Sequence, residues 1–431
     1  MAHLAFISPP FLGHLNPMVA LAGELVGRGH RATFLHMADA GPILTARGVD
    51  FRPVGATSHP PGELARIVGR MAGLRGLWQI GGVIRDVAGT TDMLCRNLPD
   101  SLRAIGADMV VADQTEAAGG LVADHLGLPF VSVANALPLN REPDVPPPFT
   151  GWRYDPSTWG RERNRGGYRV SDWLMAPHGA VIAHHAASWR LGPRAGLEDC
   201  VSSLAQISQT VAGFDLPRAE LPPTFHGVGP LRGRSLVPGF TMPARDRRPL
   251  AYASLGTLQG SRRGLFRQIA KAADRAGQNL ILAHGGGLSA RETSALPGGA
   301  TAFDFVDQPT VLAEAEVAIL NGGLNTVMDA LSAGVPAVVV PIAFEQGAIG
   351  ARLERTGAGL SISRRFLTTG RLSRAIDQVG REPSFRRAAE RLAAEIADAG
   401  GTRRAADIVE AVLATGQPVT RDMLLPLRQA A

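Results

Sequence analysis

Two side chains able to exchange a proton with a substrate each follow a predicted strand. His14 lies in residues 13–17 (GHLNP), just after an apolar strand over residues 2–8. Asp113 directly follows an apolar strand over residues 109–112. Carboxyl ends of parallel strands meet at one sheet edge, so the two side chains can lie together. A carboxylate on one imidazole nitrogen leaves the other free to take a proton from an alcohol, which predicts a general base.

The second half of the chain carries a strand–glycine–helix turn that suits a phosphate. An apolar strand over residues 317–320 stops at Asn321, and a helical pattern begins near Asn325. Gly322 and Gly323 have no side chains, so an anion can approach the backbone, and the N–H groups opening the helix face it. Taken alone, the glycines are more typical of a tight connection between a strand and a helix than of a phosphate site.

Two further loops extend this predicted anion site. A strand over residues 250–254 runs into Gly256 and Thr257, which form a second glycine turn. A strand over residues 337–340 is followed by the pair Glu345-Gln346. A carboxylate beside a carboxamide suits the hydroxyl groups of a sugar. Diphosphate at one loop and polyol at the next together indicate a nucleotide-sugar site.

This ordered set resembles the donor signature of the UDP-sugar glycosyltransferases with the two-Rossmann (GT-B) fold. The resemblance implies that Phe305 stacks on uracil, that Gln308 and Asp329 meet the ribose, and that Glu345-Gln346 holds the sugar. It also implies phosphate contacts from Asn325 and Thr326. The complete candidate donor site is Gly256, Thr257, Phe305, Val306, Gln308, Asn321, Gly322, Gly323, Asn325, Thr326, Asp329, Glu345 and Gln346.

Asn321 departs from the family pattern, in which histidine usually occupies this position. A carboxamide still donates a hydrogen bond to the diphosphate but carries no positive charge. We interpret the change as tuning of donor binding. The resemblance also supports His14 and Asp113 as the catalytic pair. It implies that the acceptor oxygen attacks the anomeric carbon opposite UDP, which inverts its configuration.

Composition narrows the class of protein. The chain has 431 residues, 45% hydrophobic and 19% charged, which indicates a globular enzyme with ample core. Net charge is +6, but long basic runs are absent from the sequence, so nucleic acid is not expected and an anionic membrane surface is favoured. The two cysteines and the absence of a basic leader predict a cytoplasmic protein. With no DxD pair or His/Asp cluster, we expect neither metal nor other cofactor.

Alternating strands and helices predict an α/β fold with two Rossmann-like domains facing across a cleft. The first helix is predicted over residues 17–28, with Asn16 as N-cap and Pro17 at its first position. The predicted divisions are an acceptor domain (1–231), a linker (232–249), a donor domain (250–400) and a final helix and tail (401–431) that returns to the first domain.

Several N-terminal segments narrow the resemblance. Residues 58–64 (SHPPGEL), 90–99 (TTDMLCRNLP) and 137–144 (LPLNREPD) are similar to the zeaxanthin glucosyltransferases of bacterial carotenoid pathways. The similarity covers nearly the whole chain. It implies UDP-glucose as the donor and the ring hydroxyls of zeaxanthin as acceptors, giving mono- and diglucosides.

Two segments are candidates for contact with so apolar an acceptor. Residues 64–85 mix apolar residues with arginine and contain Trp78; residues 138–178 hold Trp152 and Trp159. We take all three tryptophans as candidate acceptor contacts. Arginine and tryptophan suit a bilayer interface, so peripheral docking at the inner face of the membrane is one interpretation. Core helices that line a pocket, or simple surface packing, explain the same residues.

Other functions remain open at this point. A related transferase acting on another lipophilic alcohol would share the donor site and differ in the two acceptor segments. A nucleotide-sugar-binding protein with impaired turnover is the second alternative, motivated by Asn321. The His14–Asp113 arrangement disfavours a third, a two-Rossmann epimerase.

Overall fold

The chain folds into two parallel β-sheets, each covered by helices, in a computed structural model that describes residues 1–73, 77–233, 237 and 239–424. The strands of the first sheet are β1 (His3–Ile7), β2 (Arg31–His36), β3 (Asp50–Pro53), β4 (Met109–Asp113), β5 (Phe130–Ala134), β6 (Gln206–Ser208) and β7 (Phe225–Gly227). They lie in the order β3-β2-β1-β4-β5-β6-β7, and every pairing is parallel.

The second sheet repeats this plan in the second half of the chain. Its strands are β8 (Leu250–Ser254), β9 (Asn279–Ala283), β10 (Thr301–Phe303), β11 (Ala315–Leu320), β12 (Ala337–Val339) and β13 (Gly359–Ser361). They lie in the order β10-β9-β8-β11-β12-β13, again all parallel. Central strands such as β1 and β8 are buried along their whole length, because helices cover both faces of a parallel sheet.

Helices connect the strands of both sheets. In the first half they are α1 (Leu12–Gly27), α2 (Gly41–Thr45), α3 (Glu63–Ala72), α4 (Leu77–Ile105), α5 (Ala117–Leu126) and α6 (Thr158–Ser188). In the second half they are α7 (Arg263–Arg275), α8 (Ala290–Ser294), α9 (Gln308–Ala313), α10 (Leu324–Ser332), α11 (Gln346–Thr356), α12 (Thr369–Arg381), α13 (Pro383–Ala399) and α14 (Gly401–Thr415). None of the helices in the described ranges is long and apolar enough to cross a membrane.

The last helix belongs to the core of the first sheet. Ile408, Val409 and Val412 of α14 are buried in the same apolar cluster as Leu4 and Phe6 of β1. Arg28, at the end of α1, pairs with Asp407 and Glu410 of α14 at 2.7 Å each. Helix α14 thus packs against the N-terminal sheet, which joins the two halves of the molecule. The predicted domain boundaries themselves stay a prediction, and residues 234–236 and 238 of the predicted linker lie outside the described residues.

The strand order of each sheet reverses at one point, where ligands of open parallel sheets bind. In the first sheet this point lies between β1 and β4, and in the second between β8 and β11. Several strands were predicted with correct bounds, β2, β5 and β8 among them. Because β4 extends to Asp113, the carboxylate is carried by the last residue of the strand rather than the first residue of the loop.

The predicted start of the first helix is wrong. Helix α1 begins at Leu12, so His14 lies in its first turn, and Pro17 lies inside the helix rather than at its first position. Proline has no N–H, so the carbonyl of Gly13 loses its usual helical partner. The Asn325 side chain donates to that carbonyl at 2.6 Å instead. A contact with the other half of the chain therefore replaces the missing helical bond.

Candidate functional site

The predicted catalytic pair is assembled at the reversal point of the first sheet. His14 Nδ1 lies 2.7 Å from Asp113 Oδ2, with His14 supplied by the helix after β1 and Asp113 by the end of β4. β1 and β4 are neighbours in register, which explains how residues 99 positions apart meet. Asp113 is fully buried, while the His14 side chain is 23% exposed and lines the cleft between the two sheets.

Asp113 is held as a carboxylate by surrounding donors. Thr115 donates to Oδ1 from its backbone N–H at 2.9 Å and from its hydroxyl at 2.6 Å. Asn135 donates to Oδ2 at 2.7 Å, beside His14. Burial alone would raise the pKa of Asp113, but His14 and these hydrogen bonds outweigh it and hold the pKa below its usual value. The ionised carboxylate fixes the imidazole with Nδ1 towards the protein and leaves Nε2 for a substrate.

His14 is more basic than a free histidine. Burial alone would lower its pKa, but the charge and hydrogen bond of Asp113 raise it, and Glu345 from the opposite side of the cleft adds to the rise. A base with a pKa near the working pH both accepts and releases a proton readily. The geometry therefore suits a general base aimed into the cleft, and this role of His14 stays a prediction.

A continuous cleft of about 2620 Å³ separates the two sheets. Common small-molecule pockets measure roughly 300–1,000 Å³, so this cleft has room for two substrates at once. Of the candidate donor residues, all but Gly322 line it, and His14 lines it from the other side. The structure therefore brings the predicted base and the predicted donor loops to the same space.

Gln308 and Asp329, the predicted ribose contacts, touch each other. The Gln308 amide donates to Asp329 Oδ2 at 2.7 Å, and Arg232 forms an ion pair with Oδ1. Burial raises the pKa of Asp329, although Arg232 works in the opposite direction. Phe305, the predicted partner of uracil, is 50% exposed at the cleft, and Val306 beside it is buried. An exposed aromatic face next to a carboxylate suits a nucleoside.

Asn321 joins the two loops at the reversal point of the second sheet. Its Nδ2 donates to the carbonyl of Leu255 at 2.6 Å, and its Oδ1 accepts from the N–H of Gly323 at 3.1 Å. The N–H of Gly323, which the sequence assigned to an anion, is thus engaged by a side chain. Gly256, with φ of +70°, lies so near that an added Cβ would be 3.3 Å from Asn321 Nδ2.

The backbone at Gly322 packs closely against a neighbouring loop. Its φ is +87°, and an added Cβ would lie 2.8 Å from Val339 Cγ1 and 2.9 Å from the carbonyl oxygen of Gln346. The missing side chain therefore makes room for this loop. Its neighbours Asn321 and Gly323 line the cleft, and the close approach of a phosphate to this turn stays a prediction.

The predicted sugar-binding pair sits at the start of α11. Glu345 is the N-cap residue of this helix and Gln346 its first residue, and both line the cleft. Gln346 Oε1 accepts from the N–H groups of Ile342 and Ala343 at 2.8 and 2.9 Å, which fixes the loop. Phe344 has a φ of +57°, a strained value for a bulky residue and one often found beside functional groups.

Asn325 and Thr326, the predicted phosphate contacts, open helix α10 and line the cleft. The NH₂ group of Asn325 donates to the carbonyl of Gly13, and the Oδ1 atom of Asn325 is buried without a hydrogen-bond partner. Asn325 therefore connects the two halves of the chain here, and its contact with a phosphate stays a prediction. Thr326 and the N-terminal dipole of α10 stay available to a phosphate.

Two of the three candidate tryptophans, Trp152 and Trp159, do not line the cleft. Trp152 stacks under Arg163, Trp159 is 67% exposed, and neither lines the cleft. Trp78 lies at the start of α4, and its side chain falls outside the described part of the chain. The helices α3, α4 and α6 of the first half of the chain line the cleft with aliphatic residues, including Ile67, Met71, Ile84, Val87, Leu174 and Met175. Of the interpretations left open for residues 64–85, pocket-lining helices agree with the structure.

Three residues of the site were missed by sequence reasoning. Asn135 follows the last residue of β5, so the strand-end rule that found Asp113 also applied to it. Gln209 follows β6, whose three residues are too short a strand to be recognised by pattern. Arg232 was assigned to the linker, and no local signal marked its contact with Asp329. Among the described residues, no cluster of three or more His, Cys, Asp or Glu side chains could hold a metal ion.

We expect Asn321→His to retain or raise UDP affinity. An imidazole offers one donor and one acceptor, so it can replace the bonds to Leu255 and Gly323 and, when protonated, add positive charge. Calorimetry with UDP measures the effect. In Asn321→Ala both bonds are lost, and we expect affinity to fall about tenfold. A folded Asn321→His protein that no longer binds UDP would show that the two loops are built around the carboxamide.

Known proteins resemble the chain over its whole length. The C-terminal domain model of erythromycin biosynthesis protein CIII-like proteins matches residues 274–412. Zeaxanthin glucosyltransferase of Pantoea ananas is 43% identical over 426 residues, 97% of this chain and 98% of that protein. Zeaxanthin glucosyltransferase of Pseudescherichia vulneris is 38% identical, over 97% of this chain and 100% of that protein.

Solved structures agree with the fold. The calicheamicin glycosyltransferase CalG4 superimposes with a TM-score of 0.75, covering 97% of this chain and 100% of that one at 22% identity. At this identity the likeness concerns the fold alone. The predicted α/β fold, with two Rossmann-like sheets facing a cleft, is confirmed.

Proposed function

Since the chain belongs to the zeaxanthin glucosyltransferases, a family of UDP-sugar-dependent enzymes, we propose that it transfers glucose from UDP-glucose to the ring hydroxyls of zeaxanthin. The products would be the mono- and diglucosides. One observation carries the mechanism: the His14–Asp113 pair at the reversal point of one sheet faces the donor loops at the reversal point of the other.

The proposed reaction is a single displacement. Nε2 of His14 takes the proton of the acceptor hydroxyl while that oxygen bonds to the anomeric carbon of glucose. The bond from that carbon to the UDP oxygen breaks, and its electron pair leaves with UDP. Attack and departure on opposite faces invert the anomeric carbon. Asp113 keeps its hydrogen bond to Nδ1 throughout the reaction and stabilises the imidazolium that forms.

We propose that the leaving diphosphate is stabilised by the protein without a metal. The N-terminus of α10 and the loop at Gly256 and Thr257 face the cleft, and fixed N–H dipoles there act where negative charge develops. Thr326 adds a hydroxyl. Asn321 contributes by holding the two loops together through Leu255 and Gly323.

The aliphatic lining of α3, α4 and α6 supports a carotenoid as the acceptor. A polyene end group has one hydroxyl and otherwise apolar surface, which suits a cleft that is lined both by these aliphatic residues and by His14. Another lipophilic alcohol would fit the same lining, so acceptor choice needs direct comparison.

The stereochemistry and metal requirement of the reaction test the mechanism. UDP-α-glucose and zeaxanthin are incubated with enzyme in EDTA, and the anomeric coupling of the product is read by NMR. The proposal requires a β-glucoside, formed at the same rate with and without added magnesium. An α-glucoside, or a rate that depends on the metal, would overturn it.

We also propose that helix α6 docks on an anionic membrane surface. Trp159 and Trp173 are 67% and 75% exposed, and Val170 between them is 53% exposed. Residues 151–175 hold five arginines, at positions 153, 161, 163, 165 and 169, against three acids. Exposed tryptophan with surplus positive charge suits a lipid interface. Docking there would bring the cleft near a carotenoid whose hydroxyl lies at the bilayer surface.

Co-sedimentation with vesicles containing anionic lipid tests this docking. We expect the wild-type protein to sediment at low salt and to be released at high salt. The double variant Trp159→Ser/Trp173→Ser should lose most of the bound fraction. Phe366→Ser, which removes a 55% exposed aromatic from the other half of the chain, is the control and should bind normally. Equal sedimentation of all three proteins would refute the assignment to α6.

A further inference from the structure

The buried carboxylate of the catalytic pair is one end of a longer chain of hydrogen bonds. Asn135 donates to Asp113 Oδ2 at 2.7 Å, and Gln209 donates to Asn135 Oδ1 at 3.1 Å. Both amide side chains are buried, with Gln209 fully so. Buried amides that lose a partner cost free energy, so this arrangement is held firmly.

The other end of the chain lies in the donor site. Arg232 Nη1 donates to Gln209 Oε1 at 2.9 Å, while its Nε forms the ion pair with Asp329. Arg232 Nη2 also donates to the carbonyl of Asn325 at 3.0 Å. One guanidinium thus spans the first turn of α10 and the buried glutamine of the opposite sheet.

The charged ends set the direction of every bond between them. A guanidinium only donates, so the oxygen of Gln209 must face Arg232 and its NH₂ group must face Asn135. An ionised carboxylate only accepts, so the NH₂ group of Asn135 must face Asp113. The two amides satisfy both conditions without conflict. The chain Asp329–Arg232–Gln209–Asn135–Asp113–His14 is therefore continuous and has one polarity.

Helix α10 also contacts the other member of the catalytic pair. The Asn325 amide donates to the carbonyl of Gly13, the residue before His14. This carbonyl has no helical partner because Pro17 lacks an N–H. Helix α10 thus contacts the backbone beside His14 directly, at the carbonyl of Gly13. It is connected to Asp113 through Arg232 and the amide side chains of Gln209 and Asn135.

We propose that Asn135, Gln209 and Arg232 are positioning residues that connect the ribose site at Asp329 to the catalytic pair. When Asp329 binds the ribose, the change in its hydrogen bonds alters how firmly Asp113 is held against His14. The His14 imidazole is therefore positioned as a base when the donor is bound. The proposal rests on the proposed function at one point, the ribose role of Asp329. Its geometry, however, can be tested without turnover.

Direct electrostatic effects have to be separated from the chain. The charged groups that face His14 are Asp113 and, from the opposite side of the cleft, Glu345. A charge removed from the donor site changes the pKa of His14 through space whether or not the chain is intact. A double-mutant cycle isolates the part of the change in the His14 pKa that depends on Gln209.

The test is the pKa of His14, followed by NMR of histidine-labelled protein and assigned by loss of its signal in His14→Gln. Asp329→Asn is measured in the wild-type, Gln209→Met and Gln206→Met backgrounds. Gln206 is the matched control, because it lies three residues before Gln209, at the start of β6, and its side chain bonds only Asn140 and Ser202 among the contacts described. We expect the shift caused by Asp329→Asn to differ by about 0.4 pKa unit or more between Gln209→Met and the two other backgrounds.

Turnover gives a second reading. We expect Gln209→Met to lower kcat about tenfold or more with UDP affinity nearly unchanged, and Gln206→Met to leave both unchanged. Gln209→Glu provides a second variant of native size: it keeps the bond to Arg232 but cannot donate to Asn135, and it should lower kcat at least as far. Equal pKa shifts in all three backgrounds would overturn the proposal. A wild-type protein that transfers no sugar would refute the proposed function and leave the NMR cycle valid.

Discussion

His14→Ala is expected to lower kcat by about 10²–10⁴-fold while UDP still binds. Without the imidazole no group bonded to Asp113 can take the proton of the acceptor hydroxyl. The donor loops lie on the other sheet and keep their own hydrogen bonds. Initial rates give kcat, and calorimetry gives the affinity for UDP.

His185→Ala is the matched control for this variant. His185 Nε2 lies 2.8 Å from Asp92 in the same half of the chain, but neither residue lines the cleft. Loss of that His–Asp pair should leave kcat nearly unchanged in the folded protein. Near-normal turnover by His14→Ala would refute the assignment of the base, and loss of UDP binding would show that His14 is needed to build the cleft.

Asp113→Asn is expected to lower kcat by about 10²–10⁴-fold and to change its pH dependence. Asp113 raises the pKa of His14, so removing its charge lowers that pKa. The base works only when neutral, and activity is lost as pH falls through the pKa of His14. The acidic limb of kcat/KM should therefore lie above the ordinary histidine value in the wild type and move to lower pH in Asp113→Asn.

Asp92→Asn removes the carboxylate of the other His–Asp pair and should leave the pH profile in place. An acidic limb that does not move in Asp113→Asn would mean that another group controls it. Glu116 is the candidate for that result, because it lines the cleft and burial raises its pKa to about 7.

The part of the site that depends on strand ends was predictable from sequence. Two apolar strands with polar residues after them are enough to place His14 beside Asp113, because parallel strands align their carboxyl ends. The donor loops followed from the same rule and from the resemblance. The position of these residues can be predicted because each one lies within a few residues of the strand end that places it.

Contacts between distant segments were not predictable. Arg232 meets Asp329 across 97 positions, and Asn325 meets Gly13 across 312, and no motif in the sequence predicts either pairing. Helix α1 begins earlier than predicted because the second of these contacts replaces the bond that Pro17 cannot make. Tryptophan content suggested acceptor contacts, but the direction in which a helix face points depends on packing, and the cleft is lined by aliphatic residues instead.

The proposed glucosyl transfer is tested by turnover with zeaxanthin in liposomes and UDP-glucose, read by mass spectrometry for added hexose. We expect mono- and diglucosides from the wild-type protein and none from His14→Ala. Product with another lipophilic alcohol but none with zeaxanthin would contradict the acceptor assignment and keep the mechanism. UDP binding with no product from any acceptor would contradict the transferase itself and favour a nucleotide-sugar-binding protein.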